Sequence, residues 1–227
     1  MASGVALLFV AFLALAVVAV VLSYVAAKKR REAMQAFATA RGWRYEQEQP
    51  ELVDRFTGAP FGMGSGRRAC NVLYGTHDGR DLVSFDYTYK TQSSNGKTTT
   101  TTTHTFSVLA LRMGVAMPAL TVDPESFLDR FVGRITGNDI DLESEDFNRA
   151  FTVTCPDRRF ASDVLHPQMM EYLLQDPQLG WRFEQDSMLV IAQGKRTPAQ
   201  IDATIEVMDG ITDRVPEFVW LRLKGQG

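Results

Sequence analysis

The sequence predicts an α+β fold behind an N-terminal transmembrane helix. Three observations carry this: an uncharged apolar run from Gly4 to Ala27, two hairpin-turn dipeptides inside one alternating stretch, and capped amphipathic segments in the C-terminal half. Hairpin-linked strands first and helices later argue against a parallel, doubly wound sheet.

The apolar run, GVALLFVAFLALAVVAVVLSYVAA, holds no charge and no proline, so a helix can satisfy its own backbone throughout hydrocarbon. Its 24 residues suffice for a bilayer core of about 30 Å with some tilt, and Tyr24 falls where an aromatic belt residue belongs. A cleaved signal peptide calls for a basic leader and a shorter apolar stretch, whereas only Met1, Ala2 and Ser3 come first. The membrane-flanking block Lys28, Lys29, Arg30 and Arg31 follows at once. Positive flanks stay on the cytoplasmic side, which predicts a single-pass protein of the cell membrane with its C-terminal domain inside. The expected division is an anchor over 1–27, a basic juxtamembrane helix over 28–42 and a soluble α+β domain over 43–227.

Charge narrows the partners. All 27 acidic residues follow Arg31, together with 20 of the 24 basic ones, so the body carries a formal charge of −7. Such a body is not that of a nucleic-acid binder. An acidic domain behind a basic collar suits the lipid bilayer as partner, with a protein partner or self-association as the further contacts. Cys70 and Cys155 make neither a CxxC spacing nor a disulfide framework, and no cofactor or metal signature is present.

Along the chain, Glu32 to Arg41 continues as helix with Met34, Phe37 and Ala38 on one side, and Gly42 is placed to end it. Trp43 to Glu46 alternates as a short strand, Leu52 to Phe56 reads as a turn or two of helix, and Gly58 to Gly66 is a glycine-rich loop. An antiparallel β-meander is expected at about 67–112, because Asp78-Gly79 and Asn95-Gly96 are signals for two-residue hairpins. Two type I′ turns would pair Tyr74 with Val83, Val72 with Phe85, Cys70 with Tyr87, Val83 with Val108, Phe85 with Phe106, Tyr87 with His104 and Tyr89 with Thr102. Tyr74, Val72, Val83, Phe85, Val108 and Phe106 then share an apolar face, and Ser84, Ser107, Asn71, Asp86 and Thr105 the polar one. The tip from Thr91 to Thr103 has almost nothing to bury and should protrude into solvent.

From Thr121 onward the sequence reads as helical. Asp123, Pro124 and Glu125 look like a cap with an acidic first turn ahead of the stripe Phe127, Leu128, Phe131 and Ile135. Asp157 caps a second helix, Pro167 opens a third, and Thr197-Pro198-Ala199-Gln200 is a capping box for a helix that Pro216 should end. Trp181–Phe183 and Met188–Ala192 form another hairpin.

No chemistry-bearing constellation is complete. Gly62, Gly64 and Gly66 precede a strand where a phosphate loop would open a helix, and GK[ST] is missing. Cys70, Tyr87 and His104 fall in one cross-strand row, but a strand spacing of ~4.8 Å separates neighbours, too far for a Cys–His nucleophile. Asp86 stands beside Asn71 and Thr105 without a second titratable group, as a surface network would. Asp139, Asp141, Glu143, Glu145 and Asp146 imitate a calcium loop without its sixth-position glycine; they read as a strand with one solvated face, with Ser144 starting a helix. His77 and His166 belong to no ligand cluster. No catalytic residue is assigned, and Arg68, Asn71, Asp86 and His104 remain as binding candidates.

Several stretches read together: RGWRY at 41–45, APFGMGSGRRACNVLYGTHDGRDLVSFDYTY at 59–89, LTVDPE at 120–125, IDLESEDFNRAF at 140–151 and FASDVLHPQMMEYLL at 160–174. They resemble a family of uncharacterised actinobacterial single-pass membrane proteins. The resemblance implies a membrane location and a bacterial source, and carries no activity or site residue with it. The expectation is a non-enzymatic binding or scaffolding domain held at the membrane. The alternative is a membrane-tethered enzyme whose site lies where the glycine loop meets the polar sheet face.

Overall fold

The computed structural model describes residues 2–124 and 140–225. Helix α1 runs unbroken from Ala2 to Ala40. At 1.5 Å per residue it is roughly 58 Å long, about twice the thickness of a hydrocarbon core. From Phe9 onward it is long and apolar enough to cross a membrane, and its large side chains from Phe9 to Val25 lie exposed. It ends as expected: Gly42 takes φ +68, a left-handed conformation that costs glycine nothing, and Trp43 N–H donates to Ala38 O at 2.8 Å.

Among the described residues eight strands follow in one sheet: β1 (Arg44–Glu48), β2 (Ser65–His77), β3 (Arg80–Ser94), β4 (Thr99–Arg112), β5 (Leu120–Pro124), β6 (Phe151–Thr154), β7 (Gly180–Glu184) and β8 (Ser187–Gln193). Their spatial order is β1-β2-β3-β4-β8-β7-β5-β6, antiparallel at every pairing. With them, among the described residues, go the helices α2 (Glu145–Ala150), α3 (Arg158–Val164), α4 (Pro167–Leu173), α5 (Pro198–Arg214) and α6 (Glu217–Lys224), an α+β fold.

Both faces of the sheet are covered. Leu73, Leu82, Leu109, Leu111, Val122, Trp181 and Val190 face a core shared with Met34 and Ala38 of α1 and with the C-terminal helices. Val72, Phe85, Tyr87, Tyr89, Phe106 and Val108 face a second core closed by Leu52, Phe56 and Phe61 from the segment ahead of β2. Against the latter core, Phe61 packs edge-on to Tyr87 at 4.8 Å.

The meander is present with an altered register. The Asp78-Gly79 turn pairs Tyr74 with Val83 as expected. Further along, a bulge at Asn71, which adopts φ +51, adds one residue to β2, so Cys70 opposes Asp86 and Ala69 opposes Tyr87. The second connection takes four residues instead of two. Asn95 Oδ1 accepts from Lys97 N–H at 3.1 Å and Thr98 N–H at 2.9 Å, which stabilises the wider turn. Val83 therefore opposes Ala110, Phe85 opposes Val108, Tyr87 opposes Phe106 and Tyr89 opposes His104. A slip of two residues preserves side-chain alternation, so the apolar face survives the correction. The one-residue bulge does not preserve it, and Cys70 shares no row with Tyr87 or His104.

Leu120–Pro124 is a strand, not the start of a helix. Its alternating burial and its place between β6 and β7 prevail over the local cap signal, and Pro124 lies past the last β7 pairing, where its missing N–H costs nothing. The stripe Phe127–Ile135 and Asp139 lie outside the described residues. Residues 140–143 form no strand; Ile140 N–H donates to Val153 O at 2.9 Å, and Asn148 bonds both backbone groups of Leu142. Ser144, Asp157 and Thr197 cap their helices as expected, the last as a full capping box with Gln200. Pro216 ends α5 and caps α6, a helix the sequence reading did not anticipate.

Candidate functional site

The polar row of the sheet is buried. Ser84, Asp86 and Ser107 are each only 3% exposed, because they lie on the helix-covered face and not on a solvated one. Helical spacing builds the junction: Arg30, Met34 and Ala38 recur at i, i+4 and i+8, so the stripe that buries Met34 and Ala38 also aims Arg30 at β3.

Arg30 meets Asp86 bidentately. Nε donates to Oδ2 at 2.8 Å and Nη2 to Oδ1 at 2.7 Å, while Nη1 donates to the Arg196 carbonyl at 2.9 Å. Asn71 Nδ2 donates to Asp86 Oδ2 at 2.9 Å, and Tyr45 Oη donates to Asn71 Oδ1 at 3.0 Å. The bulge is what makes this reach available, since it turns both Cys70 and Asn71 toward α1. Every oxygen of Asp86 is thus engaged, as a buried carboxylate requires.

Beside this network is a notch of about 140 Å³ whose wall includes Ala27, Arg31, Gln47, Arg68 and Lys195. Arg68 is held by Glu48, Nε to Oε1 at 2.8 Å and Nη2 to Oε2 at 2.5 Å. That bond lowers the Glu48 carboxyl below its ordinary value. Burial pushes the Cys70 thiol up, against the opposing pull of Arg68 and Lys195, so the thiol is not poised as a nucleophile.

Three of the four sequence candidates, Arg68, Asn71 and Asp86, therefore gather at the junction. His104 does not join them. It stacks on Tyr89 at 4.7 Å on the opposite face, with Nε2 2.9 Å from Thr91 Oγ1. The glycine loop is on that same opposite face: Met63 Sδ accepts from Tyr89 Oη at 3.8 Å, and Gly64 lies against Tyr89 and the Lys90 backbone. No cleft joins the glycine loop to Asp86 among the described residues.

The residue that sequence reasoning missed is Arg30 as a partner of Asp86. The signal was its spacing from Met34 and Ala38, obscured by the uniform look of the four-cation block. His77 is likewise less isolated than expected. Helix α5 brings Asp209 Oδ2 to 2.7 Å from His77 Nε2, and with Asp78 the ligand atoms lie within 4.8 Å of one another. The three could hold a divalent cation, but the direct His77–Asp209 bond already satisfies both groups and ties the first hairpin to α5.

Near the far end of β5, burial pushes the Asp123 carboxyl up to about 6, with the Arg182 guanidinium opposing. Arg182 itself is held by Glu184 at 3.0 Å and by the Thr57 carbonyl at 2.6 Å. A wider cleft of about 470 Å³ lies over Leu52, Phe56, Tyr74 and Val83, rimmed by Arg112, which ion-pairs with Asp81 and Asp186.

No family model matches the chain, and no curated protein matches it in sequence. A solved structure shares its fold. The crystal structure of the mycobacterial trehalose monomycolate transport factor A, TtfA, aligns over 82% of this chain and 96% of that one, with a TM-score of 0.59 and 18% identity. At that identity the likeness speaks for the fold alone.

Proposed function

We propose that this chain is a membrane-anchored, non-catalytic docking domain of a lipid-transport assembly, with its body on the cytoplasmic side. One observation carries the reading: a single unbroken helix has an exposed apolar front and a rear locked into the sheet by Arg30–Asp86. A flexible tether would need no such lock. A helix continuous with the domain core instead fixes the orientation and distance of the domain relative to the bilayer, which suits a part that holds partners in place.

The shared fold with a trehalose monomycolate transport factor supports placing that role in the movement of an amphiphilic lipid, in an actinobacterial membrane. The positive block at 28–31 supports the cytoplasmic side. Surfaces suited to a protein partner are the exposed threonine ribbon, paired from Thr91↔Thr102 out to Ser94↔Thr99, and Phe218 and Leu221 on α6. Reporters fused after Gly227 test the side: cytosolic fluorescence is expected, and external phosphatase activity would reverse it. Affinity purification of the full-length chain from its native membrane tests the role, with co-purifying membrane transport proteins expected. Recovery of the chain alone under gentle detergent counts against it.

A further inference from the structure

The notch beside α1 has a charge balance its surroundings do not share. The body as a whole is acidic, yet four cations converge here: Arg30, Arg31, Arg68 and Lys195. Two are neutralised, Arg30 by Asp86 and Arg68 by Glu48. Arg31 and Lys195 form no ion pair among the described residues, so the notch keeps an excess of about two positive charges. With no carboxylate among the described residues to offset Arg31 or Lys195, the notch presents a net positive potential that attracts an anion.

The position of the notch identifies the anion. Ala27, the last residue of the uncharged run, forms part of its wall, so the notch opens where α1 leaves hydrocarbon. That is the depth of headgroup phosphates. A guanidinium and an ammonium lining one notch suit a phosphate oxygen cluster, Arg31 as a fork and Lys195 as a point charge, with Gln47 on the same wall as a neutral donor. An acyl chain attached to that phosphate would run along the exposed apolar front of α1.

We infer that this notch binds the phosphate of an anionic lipid headgroup, clamped between Arg31 and Lys195 against the Arg30–Asp86 lock. The inference rests on α1 being a retained anchor and deepens the docking reading. It gives the domain a lipid contact that the helix alone does not supply. The lock matters to the clamp because Arg30, held by Asp86, sets where the neighbouring Arg31 projects.

The test uses the full-length chain in neutral detergent, titrated with short-chain phosphatidylglycerol, short-chain phosphatidylcholine and inorganic phosphate separately. Native mass spectrometry reads both the intact mass and the bound lipid. Saturable binding of phosphatidylglycerol is expected, with phosphatidylcholine and inorganic phosphate much weaker. Combining Arg31→Gln with Lys195→Gln should weaken phosphatidylglycerol binding by about 30-fold. Lys29→Gln, outside the notch, should change it less than about twofold. An unchanged thermal midpoint verifies that the double variant is folded; if it is not, the two single substitutions replace it, each expected to weaken binding about fivefold. Binding by folded variants equal to that of the unaltered chain overturns the clamp, and inorganic phosphate binding as tightly as the lipid overturns the lipid source. An intact mass lacking residues 1–27 overturns the anchor instead, and the lipid titration still judges the notch.

Discussion

The two halves of α1 share one backbone geometry and differ in what surrounds their side chains. From Phe9 to Lys29 the side chains are exposed, and no charged side chain comes before Lys28. From Arg30 to Ala40 one stripe is swallowed by the domain, with Met34 and Ala38 each 1% exposed. The boundary cuts through the basic block. Lys28 pairs loosely with Glu32 at 3.8 Å with both side chains more than 60% exposed, whereas Arg30 is 16% exposed and Asp86 4%. Four neighbouring cations thus serve two purposes, and rotation around the helix decides which serves which.

The sharpest way to break this comparison is Arg30→Ala. It leaves the Asp86 carboxylate buried without its partner, and a loss of about 4 kcal/mol in urea unfolding of the detergent-solubilised chain is expected. A loss below about 1 kcal/mol would mean the lock contributes little. Next comes Met34→Ala, which should cost about 3 kcal/mol by opening a cavity under the sheet, while Leu15→Ala in the exposed front leaves domain unfolding unchanged. Equal effects from the two would erase the distinction between the halves.

Asp123→Asn is a control remote from the helix, with a pH signature of its own. The folded carboxyl titrates at about 6, above its unfolded value of 3.8, so the fold binds the proton more tightly and this group lowers stability as pH rises through that window. The substitution should therefore stabilise by about 3 kcal/mol at pH 7 and by next to nothing at pH 3.5, read as the difference between two denaturation curves. The smallest effect is expected for Lys28→Ala, within about 0.5 kcal/mol, because its exposed pair is screened by water.

Much of this was legible locally. The Thr197 capping box, the Asp157 and Ser144 caps, the Gly42 stop and the Asp78-Gly79 hairpin each depend on a few adjacent residues whose hydrogen bonds close within one turn. Errors arose where a distant partner competed with a local signal. Leu120–Pro124 has a helix cap in its sequence but gains two strand neighbours. Asn95-Gly96 is a local exception: the Asn95 side chain accepts from both Lys97 and Thr98, which favours a four-residue turn over the two-residue one. Of the candidate site, Asn71 and Asp86 were legible as polar residues on one face; strict alternation put Arg68 on the other, and only the bulge at Asn71 brings it to the same side. That this face is buried, and that Arg30 meets it, depends on α1 lying across it.

A close approach of the same kind fixes the entry to the sheet: the Trp43 indole rests on Gly75, where any Cβ would overlap the ring. No property of Gly75 taken alone announces it.

By itself the sequence determined the apolar helix, its basic border, the meander and most helix caps, because these follow from backbone hydrogen bonding and from hydrophobic periods within one segment. Only the tertiary structure decided that the sheet is covered on both faces, that a single bulge turns Asn71 toward Asp86, and that one cation of the block at 28–31 turns inward to close the core. Those outcomes depend on contacts between residues as far apart as Arg30 and Asp86, whose energies exist only once the chain has brought them together.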